Sequence, residues 1–550
     1  MSGDTLSKQS EAVRKRAADL ASQLSVRARR SATIAQERAV LRMLGVDGLD
    51  RVGRPLAATV ADGYCGSDAG RLSRGVLLPF TVAMLEYDMG PHELALDVAS
   101  GAVDLELEAG LLARPDRFAA AQKKAGHLLG SALARFDANR TAAREMREVL
   151  GMPPEPWLGV AVEATEVEAA ISETRAIVGS GAGLVQIRVP ASWEFAEARR
   201  QAGLDIPGLF EEDGPRGERS RGEGRRWIGR RLRSDTAALV GQVPAGSQRG
   251  LAALRQTADE AAAERRCYAN LMTVTSAFAA PEQAVVAAFE RIDYVAVDPI
   301  REIVEDNVDP DRALADHSFA HRLQARAGCR VVIGPGPLAL GPDVASGIPS
   351  DATTRAGRAL ALQALGTELA LAGGVAADRL MLGAVPDWVV DEGNVASILL
   401  QTWLRRAVFP SHRLALGGAA GWIAAGRSAA AVASMAGAPA SVVLEPCAPS
   451  EVSKAVAALE VVADAARAVR TTLGDGALHG DAADAAARTL ATADAVLAKL
   501  AAEGWSSLLG PGGPGALSGR DADLVRLGSA AVVERASGPD ASERLLRDFV

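Results

Sequence analysis

Gly183-Leu184-Val185-Gln186-Ile187-Arg188-Val189-Pro190-Ala191-Ser192 decides how the rest of the 550-residue chain is read. A short apolar run follows a glycine and closes on an arginine, with a serine just beyond, which predicts a buried strand over Leu184 to Val189. In a wheel of parallel strands the carboxyl ends open onto a common mouth, so Arg188 and Ser192 would meet there and could hold an anion.

Outward from this stretch, short apolar strands alternate with longer helical segments. Trp157 to Ala164 reads as a strand and Glu166 to Val178 as a helix; downstream, strands are expected at Tyr268 to Ser276, Tyr294 to Asp298, Arg330 to Pro335 and Leu380 to Val385. Helices are expected at Pro281 to Phe289, around Ala313 to Ala327, at Thr353 to Leu371 and at Val395 to Val408, and weaker strands near Arg413 to Leu416 and Ser441 to Glu445. About eight such units predict an α/β fold, a closed (β/α)8 TIM barrel with N-terminal and C-terminal helical additions. A doubly wound sheet is the competing topology. Gly179-Ser180-Gly181-Ala182-Gly183 does not support it, because those glycines precede a strand and do not open a helix.

The flanks set the expected domains. Residues 1–152 form a helical region, with a helix from about Ser7 to Ala39 and a second that stops at Gly45, and breaks at Gly90-Pro91 and Arg114-Pro115. Pro153, Pro154 and Pro156 mark a rigid boundary. The barrel is placed at 153–448, interrupted at about 207–256 by an insertion thick with arginine, such as Arg225, Arg226, Arg230 and Arg231. That insertion is either a solvated segment or an anion-binding loop. Residues 449–550 are helical to about Glu503 and end in a tail beyond Gly510-Pro511-Gly512.

Composition narrows the classes. A formal net charge of −8 gives no overall attraction to nucleic acid or an anionic membrane, and no apolar run nears the roughly 18 residues of a membrane span. The segment after Met1 is polar, without a secretory core, so the cytoplasm is expected. Cys65, Cys267, Cys329 and Cys447 show no metal spacing.

Arg188, Ser192 and Ser276 are the candidate site. A guanidinium and two hydroxyls at strand ends make a phosphate cradle; a structural arginine is the alternative. Glu163, Asp298 and Asp316 are carboxylates near strand ends or loops, each a general base or a helix cap, and Asp298 before Pro299 suits a cap. His317 and His321 sit at helical spacing beside Asp316, half of a metal face; no third ligand accompanies them, and no metal is expected. No residue stands out as catalytic: nucleophile elbow, phosphate-binding P-loop and Ser/His/Asp patterns are missing from the sequence.

The stretch Glu37 to Asp50 resembles the amino-terminal part of the alpha subunit of lysine 5,6-aminomutase. Gly101 to Leu105 is similar to that subunit's Gly-Glu-Leu-Asp-Leu, Ile187-Arg188 to an Ile-Arg strand end, and Ser276 through Pro281-Glu282 to a serine followed by Pro-Glu. Phe289 to Asp293 and Arg406 to Pro410 match further landmarks in the same order.

The resemblance implies the barrel-bearing alpha-type subunit of an adenosylcobalamin-dependent aminomutase, an isomerase. Such an enzyme catalyses a radical 1,2-amino shift on a lysine- or ornithine-like amino acid. It implies pyridoxal 5'-phosphate at the mouth and a separate beta-type subunit that carries the cobalamin domain, its Asp-x-His-x-x-Gly motif and a Schiff-base lysine; no such motif occurs in this chain. Arg188 and Ser276 match the family's phosphate-binding residues, and Ser192 a third after a one-residue shift. Departures are implied as well. Arg301 stands where the family has a ring-stacking tyrosine, and Glu305 or Asp306 where it has an arginine. The aspartate expected after Arg330 to Pro335 falls near Leu338, and the lysine expected after Phe409-Pro410 falls near Ala415, with Arg413 the nearby cation. A degenerate relative acting as a corrinoid-binding or assembly component without pyridoxal chemistry is the second expectation.

Overall fold

The computed structural model describes residues 3–51, 54–66, 68–153, 155–187, 247–304, 306, 308–334, 352–383, 395–417, 442–444, 449–473, 480–505 and 532–536. The short strand β1 (Ser31–Thr33) precedes eight parallel strands that close into a barrel: β2 (Trp157–Val162), β3 (Leu184–Ile187), β4 (Asn270–Val274), β5 (Tyr294–Val297), β6 (Arg330–Ile333), β7 (Leu380–Leu382), β8 (Arg413–Gly417) and β9 (Val442–Leu444). β2 pairs with both β3 and β9, with Gly159 opposite Leu184 on one side and Leu444 on the other, and this closes the sheet. The expected barrel is what forms, and the doubly wound alternative falls.

Its strands are continuous apolar runs because both faces are covered. Trp157, Leu184, Met272, Tyr294, Val332, Met381 and Ala415 fill the interior as one cluster. Their neighbours in sequence, such as Leu158, Val185, Leu271, Val295 and Val331, point outward into the helical layer. Burying a Val or Leu side chain in this way contributes roughly 1.5–3 kcal/mol. Gly183 is required before β3, since a Cβ there would lie 2.9 Å from Trp157 Cβ.

The helical layer includes Val167–Gly179, Gln248–Arg265, Ala280–Phe289, Pro310–Ala327, Ala352–Ala372 and Val395–Val408. The insertion expected at about 207–256 ends earlier than that. Gln248–Arg265 is a barrel helix, started by the Ser247 hydroxyl accepting from Gly250 N at 3.0 Å and packed through Leu251, Leu254 and Ala258. The rest of the insertion, including its arginine run, lies outside the described residues.

The N-terminal region wraps the barrel. Pro91 and Pro115 open helices at the breaks read from the sequence, and the 36-residue helix Pro115–Leu150 runs along the barrel flank. Asn139 Nδ2 donates to Ala288 O at 2.9 Å and Phe289 O at 2.7 Å, satisfying carbonyls that the end of helix Ala280–Phe289 leaves open. Arg147 and Arg255 converge on the buried Asp293 just before β5. Burial would push that carboxyl up, but the two guanidiniums hold it below its usual range.

The helix expected from Ser7 to Ala39 is broken. It runs Gly3–Arg30, gives way to β1, and resumes as Ile34–Met43 with the Thr33 hydroxyl capping Gln36 N at 3.2 Å. β1 pairs antiparallel with β10 (Val532–Glu534), so part of the expected tail is a strand laid against the N-terminal region. Asp481–Glu503 packs against Ala352–Ala372, where a Cβ on Gly357 would lie 2.6 Å from Thr492 Cβ. No described helix is long and apolar enough to cross a membrane.

Candidate active site at the mouth of the barrel

Alternation fixes what faces the interior. On β2, β3, β4, β5 and β6 the residues in step with Trp157, Leu184, Met272, Tyr294 and Val332 are Ala161, Gln186, Val274, Ala296 and Gly334. All five are partly exposed, whereas the layer beneath them is buried. Ala161, Ala296 and Gly334 carry small side chains or none in this layer, and the same step carries Glu163, Ser276 and Asp298 to the rim.

Ser276 lies just past β4, half-buried, with its carbonyl accepting from Ala279 N at 3.0 Å. The loop is pinned below by Thr275, whose hydroxyl donates to Ala296 O on β5 at 3.0 Å. It leaves through Phe278, a buried residue with φ of +65°, a backbone state that costs a non-glycine residue on the order of 1 kcal/mol.

Asp298 is the helix cap its sequence context suggests: Oδ1 accepts from Arg301 N at 2.9 Å. Its other oxygen sits 2.0 Å from where a Cβ on Gly334 would be, so only glycine fits at that point of β6. The carboxylate therefore lies against the end of β6. Glu163 is exposed, and its N–H donates to Glu173 Oε2 at 2.9 Å.

The remaining candidates resolve into structural groups. Asp316 accepts from Arg312 Nε at 2.7 Å and from the Thr33 hydroxyl. His317 Nε2 lies 3.0 Å from Glu302 Oε1, and both side chains are buried. Burial favours neutral imidazole, but the Glu302 carboxylate outweighs it and raises the His317 pKa. His321, buried without a carboxylate partner among the described residues, is lowered to about 3. No cluster of three or more His, Cys, Asp or Glu side chains able to hold a metal occurs among the described residues.

Arg301 pairs with Asp306 at 3.5 Å. Arg413, the nearest cation to the expected lysine position, starts β8 and is at the opposite end of the barrel from the mouth. It lies over the Trp157 ring at 5.6 Å and donates to Tyr294 Oη at 3.1 Å, part of the barrel floor. Arg188, Ser192, Glu305 and Leu338 lie outside the described residues.

Two features of the mouth escaped the sequence reading. Gln186 was a simple two-residue step from Leu184. Arg405 had no local signal: wholly buried, it ties together Leu382 O at 2.7 Å, Ala415 O at 3.2 Å and Gln363 Oε1 at 3.1 Å, and burial lowers its pKa to about 9. It stitches β7 to β8 beneath the rim.

A family profile described as the D-lysine 5,6-aminomutase TIM-barrel domain of the alpha subunit matches residues 5–192 and 242–417, which takes in β2 through β8 and the N-terminal helices. The chain belongs to this aminomutase alpha-subunit family. The lysine 5,6-aminomutase alpha subunit of Fusobacterium nucleatum is 26% identical over 386 residues, 70% of this chain and 65% of that one. The alpha subunit of Acetoanaerobium sticklandii is 24% identical over 383 residues, 70% of this chain and 64% of that one. The match thus spans just under two thirds of the length of these curated aminomutase relatives. A solved dihydropteroate synthase from Yersinia pestis covers 57% of the chain at 16% identity and a TM-score of 0.33, too distant to bear on function.

Proposed function

We propose that this chain is the barrel-bearing subunit of an adenosylcobalamin-dependent aminomutase that shifts an amino group between neighbouring carbons of a lysine- or ornithine-like amino acid. It works in the cytoplasm with a separate cobalamin-binding subunit, and it holds pyridoxal phosphate at the barrel mouth. The family match over the barrel carries this reading.

The described mouth fits such a cofactor. Its interior-facing Ala161, Ala296 and Gly334 are small, Ser276 brings a hydroxyl to the rim, and the Asp298 carboxylate lies against Gly334 at the end of β6. Arg188, Ser192 and Ser276 would hold the phosphate: the guanidinium supplies charge and planar donors, the hydroxyls direction. Pyridoxal phosphate, when bound, supplies the electron-accepting ring for nitrogen migration, and cobalamin the radical. The protein's own share is to fix the phosphate, orient Ser276 through the β4 loop, and shield the reacting groups from water.

The direct test combines the chain, a cobalamin-domain partner, adenosylcobalamin, pyridoxal phosphate and isotopically labelled lysine or ornithine, followed by NMR. Migration of the terminal amino group only when all components are present supports the reading. Turnover by the isolated chain without cobalamin overturns it.

A further inference from the structure

Ser276 is held from outside the mouth. Two residues beyond it, Phe278 adopts a left-handed backbone and buries its ring under Arg312, whose guanidinium carbon is 4.6 Å from the ring centroid. Arg312 is itself 0% exposed. Its Nε donates to Asp316 Oδ2 at 2.7 Å, and Asp316 Oδ1 accepts from the Thr33 hydroxyl. Thr33 in turn belongs to β1, where it pairs with Val532, and caps the helix Ile34–Met43.

We propose that Arg312, braced by Asp316 and Thr33, is a positioning residue that fixes the Ser276 hydroxyl for a phosphate-bearing ligand by clamping the Phe278 ring. The clamp rests on the reading of Ser276 as a phosphate contact. A phenylalanine gains nothing locally from positive φ, so the loop needs an outside force to keep that state in preference to one that swings Ser276 away. A guanidinium supplies it by sitting over the ring, its central carbon 4.6 Å from the centroid, while its Nε stays bonded to a carboxylate; an ammonium cannot do both in the same way. Asp316 is fixed by the N-terminal region, so the β4 loop is registered against that layer as well as against the barrel.

The test is a double-mutant cycle in the full chain with its partner subunit, reading the dissociation constants of pyridoxal phosphate and of phosphate-free pyridoxal. Arg312→Met and Ser276→Ala should each weaken pyridoxal phosphate about tenfold and leave pyridoxal nearly unchanged, Arg312→Lys should weaken it by less, and the double variant should lose no more than the worse single. Hydrogen exchange at residues 275–279 should quicken in Arg312→Met about tenfold more than in the rest of the barrel, where stranding the buried Asp316 gives only a uniform change. Unaltered binding in both Arg312 variants, or losses that multiply to about a hundredfold in the double variant, would overturn the clamp. A silent Ser276→Ala would remove the phosphate role of Ser276 itself; exchange at 275–279 then decides Arg312, and an unchanged rate rejects it.

Discussion

Arg42 Nε donates to Glu282 Oε1 at 2.7 Å, with both side chains about 15% exposed or less. Each belongs to a separate landmark of the family resemblance, one on the helix Ile34–Met43 and the other in the first turn of Ala280–Phe289, which follows the Ser276 loop. The two landmarks are in contact because the N-terminal region docks on the mouth side of the barrel through this ion pair. Removing Glu282 leaves the largely buried Arg42 guanidinium with the half-exposed Asp47, 3.2 Å from its Nη1, as its remaining carboxylate among the described residues. Glu282→Ala should therefore destabilise the chain by about 1–2 kcal/mol in urea unfolding, and Arg42→Met with Glu282→Leu should recover part of the loss. A single-variant loss below about 0.5 kcal/mol would show that the pair contributes little.

The strand β10 brings a second buried charge. Arg535 reaches Glu37 Oε1 at 3.5 Å and also bonds Gln36, while Val76 N donates to Glu37 Oε2 at 2.8 Å. Burial pushes the Glu37 carboxyl up against the pull of Arg535. Arg535→Met should destabilise by about 2 kcal/mol or more, and adding Glu37→Gln should restore much of it, because the neutral amide needs no cation. Equal stability of Arg535→Met and the parent would place the tail strand outside the cooperative fold.

His321 predicts an acid sensitivity with a defined sign. Its folded pKa, about 3, lies below the ordinary value near 6.5, so the stability it contributes is present above pH 6.5 and is lost as pH falls toward 3. His317 is shifted the other way: its contribution is full below about 6.5 and fades only as pH rises through its raised pKa. Between pH 6.5 and 5 the loss is shared with His412, whose pKa burial lowers to about 4, and the part carried by His321 should reach up to about 2 kcal/mol. Unfolding free energies of the parent and His321→Leu at the two pH values check this; the variant should lose less on acidification, and identical losses would contradict it.

How much of this was legible follows from where the signals lie. The barrel could be read because each parallel strand is a short apolar run between longer helical stretches, and Pro91, Pro115 and Gly45 punctuate helices by local chemistry alone. Asp298 before Pro299 could be read as a cap for the same reason. β1 and β10 could not: each has three residues, and what makes them strands is a partner some 500 positions away. The helix at Gln248 was hidden because its first turn, Gln248-Arg249-Gly250, continues the composition of the insertion. Distance along the chain after Phe409-Pro410 names Arg413 as the cation near the expected lysine but does not say which end of β8 it occupies, and it starts that strand. The clamp on Phe278 was invisible, since a left-handed phenylalanine has no sequence signature and Arg312 reaches it across the fold.

The most direct test of the central claim is a spectroscopic titration of pyridoxal phosphate into the chain with its cobalamin-domain partner, run on the parent, Arg188→Ala and Ser276→Ala. Saturable binding by the parent, weakened about tenfold or more by each substitution while melting temperature holds, is the predicted result. Binding that neither substitution alters, or no binding by the parent complex, would contradict a phosphate site at the mouth of this barrel.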